Sequence, residues 1–334
     1  MEKNKNISVE LIRVIAMFMI ILDHILLPFD MPYKAMVAQL LNGGVFIFLL
    51  ISGVLFGDKT IRDWKSWFKK RFVRIMIPFW IVCIIDALYE TIILNNYNFK
   101  IFLIHIFNMQ GIFGGTYNTA TLWFVTLIMI CYLITPLLQK IKEFKLSIKT
   151  YTVMAILTLG IQVLCAFATE KGMAYGHSMS WCVLALGMYS LGYFLGLERI
   201  DNIKGKSIII FSGVTVVGVI GTFVAREMAG DTVLYNRVIS YDGLALLMLE
   251  ISLILYKVSQ RIHNEIICKI VMHFGSISYE FYLIHGFIIG GFMLGIEPIV
   301  GKGLYIVLTI LCAYIGANII KFLNKQTVQI VKKL

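Results

Sequence analysis

Apolar runs recur along this chain at a length that points to one kind of solvent. A helix needs about 20 apolar residues, within roughly 17–25, to cross the hydrocarbon core of a bilayer. Ten stretches fit, at about residues 8–29, 36–57, 74–95, 120–139, 150–168, 181–197, 206–225, 239–257, 276–294 and 303–322. Hydrophobic residues make up 59% of the 334 and charged residues 15%, where soluble domains hold about 45–50% and about 25%. Two soluble domains, which length alone would suggest, are therefore set aside. The pattern predicts an all-α, polytopic membrane helix bundle of about ten transmembrane helices, read as one integral membrane domain over residues 1–334. The connection at about 96–119 includes FKIFLIHIFNMQGIF, too short to span and read as an interfacial or re-entrant piece.

The net charge of +11 would suit nucleic acid if it were clustered on a soluble face. It is distributed otherwise. With ten alternating spans and a cytoplasmic N-terminus, 23 basic residues fall on the inner side and six on the outer, Arg13 belonging to neither. That is the positive-inside bias. It predicts both termini in the cytoplasm and makes nucleic-acid binding unnecessary. The N-terminal MEKNKN and the apolar run after it loosely resemble a signal peptide, but Arg13 interrupts the run and no A-x-A site follows, so a retained first span is expected. Six cysteines lie mostly in apolar runs with no CxxC pattern, so neither a disulfide framework nor a zinc site is expected.

The first span, SVELIRVIAMFMIILDHILLPF, carries Arg13, Asp23 and His24. Arg13 and His24 are eleven residues apart, which on a helix returns to the same face within about 20° and separates them by about 16 Å. Asp23 points about 100° from His24. The plainer account has Arg13 snorkelling to the inner interface and His24 at the outer one. An ionisable group near a helix centre costs about 2.5–3.5 kcal/mol on insertion scales, and such groups commonly face a bundle interior or a water-filled path. A neutral imidazole there could take the proton of a hydroxyl as its oxygen attacks an acyl group.

Arg13, ten intervening residues and His24 resemble the R-x10-H motif of the membrane acyltransferase-3 family. GGVFIFLLISGVLFG at 43–57, KKRFVRIMIPFW at 69–80, LWFVTLIMICYLITPLL at 122–138 and SISYEFYLIHGFI at 276–288 are similar to further segments of that family, in the same order. The resemblance covers nearly the whole chain. It implies an O-acyltransferase of the bacterial cytoplasmic (inner) membrane, taking acetyl from cytoplasmic acetyl-CoA, without a metal, to a hydroxyl of a carbohydrate or lipid-linked glycan. By position, His24 would be the catalytic histidine and Arg13 its partner in the donor site.

Lys69, Lys70, Arg71 and Arg74 lie where coenzyme A would enter, and arginine can grip phosphate with two parallel hydrogen bonds. A basic inner loop is equally what the positive-inside rule produces. Ser52 with Gly53 would allow close approach of a helix or ligand. Trp123 reads as an interface residue or a substrate platform. His285, in YLIHG, reads as a site residue or a satisfied polar contact. Asp86 and Glu250, inside the third and eighth spans, could orient His24 or hold a proton. His105, His177, His263 and His273 follow no pattern and are expected at surfaces or interfaces.

Some members of that family carry an extra-membrane hydrolase-like domain, and none is visible here before Leu334. Direct transfer and transfer through a separate extracytoplasmic protein both stay open, as does a homo-oligomer. The competing account of the buried Arg, His, Asp and Glu is a proton-coupled transporter or flippase of a glycan or small solute. Against it, no inverted repeat is visible.

Overall fold

A computed structural model describes residues 6–96, 98–113, 120–144, 148–172, 179–293 and 295–331. His177, and Lys3, Lys5, Lys145, Lys332 and Lys333 of the charge count, lie outside the described residues. The described residues are helical, with no strand among them. In chain order the helices are α1 (Ile7–Leu26), α2 (Lys34–Asn42), α3 (Gly44–Gly57), α4 (Trp64–Ile92), α5 (Phe99–Ile106), α6 (Gln110–Phe113) and α7 (Trp123–Glu143). There follow α8 (Ile148–Glu170), α9 (Met179–Asp201), α10 (Gly205–Ala229), α11 (Ser240–Ser259), α12 (Glu265–Phe287), α13 (Glu297–Val300) and α14 (Lys302–Val331). Short π-helical turns at Tyr235–Ile239 and Ile288–Met293 adjoin α11 and α12.

Among the described residues, eight helical segments are long and apolar enough to cross a membrane. The first and ninth expected spans are helices too, of 20 and 23 residues. They stand outside that set because α1 carries three charged residues, Glu10, Arg13 and Asp23, and α12 holds Lys269, His273, Ser276, Ser278, Glu280 and His285. The protein is a multi-pass helical membrane protein, and these two helices carry His24 and His285.

Helix ends differ from the apolar windows in a consistent way. The third span begins at Trp64 rather than near residue 74, the ninth at Glu265 rather than 276, and the last continues to Val331. Hydropathy marks where a helix is immersed, whereas hydrogen bonding carries it on through polar turns. The Asp63 carboxylate caps α4 by accepting from the Ser66 N–H at 3.0 Å. The second span is interrupted at Gly43, between α2, which has no buried residue, and α3, which is buried nearly all round.

The described residues form two compact units. The first comprises Met1–Ala16, Asn42–Thr60 and Leu133–Met272. Its core is the contact of α3 with α9. A Cβ at Gly53 would lie 2.0 Å from the Tyr189 carbonyl oxygen, and one at Gly57 2.3 Å from that of Tyr193. From the other side, a Cβ at Gly192 would lie 2.0 Å from the Leu50 oxygen. Two small-xxx-small pairs, Gly53/Gly57 and Gly192/Gly196, thus bring the backbones together. Gly196 has φ 65° and ψ 170°, breaking α9. Asp58 takes up the freed geometry, its carboxylate accepting from the Glu198 N–H at 2.9 Å. Lys142 donates to the Gly57 carbonyl at 2.5 Å and lies 3.6 Å from Asp58.

The second unit comprises Met17–Leu41, Ile61–Tyr132 and His273–Leu334. Phe18 of α1 packs on Phe274 and Phe281 of α12, at 5.5 and 6.0 Å between ring centroids. Tyr279 donates to the Ile75 carbonyl of α4 at 2.9 Å, Tyr282 to that of Thr121, and Tyr89 to that of Gly291 at 2.6 Å. The short α5–α6 segment doubles back along α4. Trp80 donates to the Ile106 carbonyl at 2.9 Å, about 18 Å along the axis from the end of α4 at Ile92.

Valine at Gly53 is expected to force α3 and α9 apart, costing about 1–3 kcal/mol or more of stability. A fall in the thermal unfolding midpoint in detergent, followed by tryptophan fluorescence, would report it. Gly213→Ala, where a Cβ meets open space, should leave that midpoint unchanged or slightly raised.

Candidate active site

The second unit brings His24 and His285 together. Their rings stand edge to face with centroids 5.1 Å apart, one on α1 and the other on α12. His24 Nδ1 lies 2.7 Å from the carbonyl oxygen of Ile20, one turn back on its own helix. A carbonyl can only accept, so Nδ1 carries the hydrogen and donates. Nε2 is then left with the lone pair, the form a general base needs. His24 is half-buried while His285 is wholly buried. His285 repeats the arrangement, with Nδ1–H donating to the Tyr282 carbonyl. Its Nε2 is buried with no hydrogen-bond partner.

Asp86 and Glu250 were candidates for orienting His24, but Ile20's carbonyl occupies the nitrogen such a carboxylate would hold. Asp86 is buried in α4, one turn before buried Glu90. Glu250, in the first unit, accepts from the Ser212 hydroxyl, and its Oε2 is buried without a partner.

Arg13, in the first unit, is largely buried and paired. Its Nη1 lies 3.2 Å from both carboxylate oxygens of Glu10, and the guanidinium sits 5.8 Å from the Phe48 ring centroid. The i, i+3 pairing on one helix face was readable from the sequence and identifies Glu10 as a residue the motif alone leaves out. Ser52 is buried and donates to the Phe48 carbonyl at 2.7 Å, so its hydroxyl serves its own helix. The close approach expected there belongs to Gly53.

Lys70 and Arg74 are exposed on the first turns of α4, while Arg71 is half-buried. The Arg71 guanidinium sits 5.8 Å from the centroid of Trp67, which in turn meets Trp64, Phe68 and Tyr132 at 5.6, 5.1 and 5.6 Å. Sequence reasoning took the cations and missed this aromatic group, although Trp64 and Trp67 share a helix face. Trp123 is half-buried at the start of α7, its ring edge-on to Phe124 at 6.2 Å. Among the described residues no three His, Cys, Asp or Glu side chains gather as metal ligands.

A family model described as an acyltransferase domain, that of the acyltransferase-3 family, matches residues 6–320. The chain belongs to this family. It is a membrane acyltransferase, and α1 to α14 nearly all lie within the matched span. No match was found among curated proteins or among solved structures.

His105 departs from its expected place at a surface. It is buried in α5, outside the ten spans, and burial pushes its imidazole down from 6.5 to about 4. The folded value lies below the unfolded one, so the unfolded chain binds more protons between those pH values, and stability falls as pH drops from about 6.5 to about 4. His105→Gln should remove roughly 2–3 kcal/mol of that loss. The readout is unfolding midpoints at pH 7 and pH 4.5, whose difference is expected to be smaller in the variant.

Proposed function

We propose that this acyltransferase is an O-acetyltransferase of a bacterial cytoplasmic membrane, moving acetyl from cytoplasmic acetyl-CoA to a hydroxyl of a cell-surface or lipid-linked carbohydrate. The observation that carries the reading is the contact of His24 Nδ1 with the Ile20 carbonyl at 2.7 Å, which in a neutral imidazole leaves the lone pair on Nε2. With Nδ1–H donated to Ile20, Nε2 is free to take the proton of an acceptor hydroxyl. The hydroxyl oxygen attacks the thioester carbon, the C–S bond breaks, and the departing thiolate receives the proton. No net proton is consumed. General-base help of this kind contributes about 10²–10⁴ in rate.

Arg13, paired with Glu10, is assigned to the donor site from its place in the R-x10-H motif. Arg71, Arg74 and Lys70 would meet the coenzyme's phosphates at the start of α4. The Trp64–Trp67 pair beside Arg71 offers aromatic faces suited to a purine. This combination of fixed cation and aromatic ring favours a nucleotide-bearing donor over a free sugar or ion. That preference is what separates an acetyl-CoA enzyme from a proton-coupled carrier.

Membrane vesicles from producing cells, supplied with radiolabelled acetyl-CoA, should incorporate label into vesicle glycan. His24→Ala is expected to lower incorporation at least about a hundredfold without loss of folded protein, and retention of wild-type transfer would refute the base assignment. Arg71→Ala should raise the KM for acetyl-CoA about tenfold, with Arg71→Lys intermediate because an ammonium cannot grip phosphate bidentately. Acetyl-CoA should also raise the thermal midpoint of the purified protein where free sugars do not.

A further inference from the structure

One buried group beside His24 is left without a partner. His285 is wholly buried, its Nδ1–H is committed to Tyr282, and the remaining Nε2 has no donor facing it. A buried acceptor in that condition is destabilising. Its neighbour His24 is in the same form, Nδ1–H on a backbone carbonyl and a lone pair on Nε2. In the resting protein neither ring can satisfy the other. Once His24 holds a proton, its Nε2 becomes a donor, and the neighbouring ring of His285, its centroid 5.1 Å away, carries the unmet acceptor.

We propose that His285 is a positioning residue for acyl transfer, its Nε2 accepting a hydrogen bond from the Nε2–H that His24 acquires from the acceptor hydroxyl. The inference rests on the assignment of His24 as base and extends it. The two rings hold one proton between them while the oxygen–carbon bond forms and the carbon–sulfur bond breaks, and the proton then passes to the thiolate. The interaction is absent before proton transfer and present after it. It therefore lowers the barrier without tightening substrate binding.

The titratable groups on the elements around the pair are few. Asp23 adjoins His24 on α1, and Tyr282 lies 5.5 Å from His285 with its hydroxyl donated to the Thr121 carbonyl. From α4, Tyr89 meets Phe287 at 5.4 Å, with buried Asp86 one turn before it and buried Glu90 beside it in sequence. From α14 come Gly316, against Ile284, and Tyr305, against Phe29.

The test follows kcat and KM for acetyl-CoA in the vesicle assay from pH 5 to 8, for wild type, His24→Ala, His285→Ala and His285→Gln. His285→Ala is expected to lower kcat about ten- to a hundredfold while KM stays within about twofold. Its acidic limb should move about one pH unit lower, because His24 without an acceptor holds its proton less firmly. The carboxamide oxygen of His285→Gln can accept the same hydrogen bond, so this variant should recover part of both effects. A merely structural role would scale activity equally at every pH, leaving the limb in place. An unmoved limb in both variants, or wild-type kcat in His285→Ala, overturns the inference while loss of transfer in His24→Ala upholds the base. Transfer surviving in His24→Ala, or no incorporation by wild type above vesicles lacking the protein, overturns both.

Discussion

Hydrocarbon offers no hydrogen bonds, and that constraint governs where each polar side chain of this protein can go. An unpaired polar group there costs several kcal/mol, so most are satisfied within their own helix. Ser52, Thr91, Thr158, Ser190, Ser252 and Thr309 each donate to the carbonyl four residues back. The tyrosines reach across instead, Tyr279, Tyr282 and Tyr89 each capping a carbonyl elsewhere in the second unit. Against this background, polar atoms left over are informative. His285 Nε2 and Glu250 Oε2 are two of them.

The same solvent removes the usual reason for helices to associate, since lipid tails are as apolar as leucine. Close packing and polar latches have to replace it. The glycine pairs of α3 and α9 supply the first, and the Asp58–Lys142 contact at the break in α9 supplies the second. Peripheral α10 shows the opposite case. Its only buried residue is Thr215, and Ile209, Ile210 and Val217 are about as exposed as they would be on an isolated helix. In water that surface would aggregate, whereas in a bilayer it is the solvated face.

The ten runs of the sequence correspond to helices because immersion length and helix rise are both fixed numbers, so apolar windows report spans directly. Their ends were less legible. Polar turns such as Trp64–Val73 continue a helix without any hydropathy signal, and the interruption at Gly43 lies inside an unbroken apolar window. For the site, the eleven-residue spacing placed Arg13 and His24 on one stripe, and Glu10 could have been added from its i, i+3 position. The meeting of His24 with His285 could not be read, because it joins residues 261 positions apart in sequence through helix packing alone. Nor could the role of Ile20, whose contribution is a backbone carbonyl that no side-chain pattern encodes.

That carbonyl bears on why a membrane enzyme would differ from a soluble one using the same chemistry. In water-soluble triads a carboxylate orients the histidine and stabilises the imidazolium that forms. Within a bilayer such a carboxylate would itself need a partner, since a buried charge is tolerated only when paired. A helix carbonyl orients the ring with no charge at all, and a second neutral imidazole can accept the new N–H without adding one beforehand. On the proposed mechanism the histidine pair carries a charge only during transfer. The resting protein bears the smaller cost of one unmet acceptor on His285.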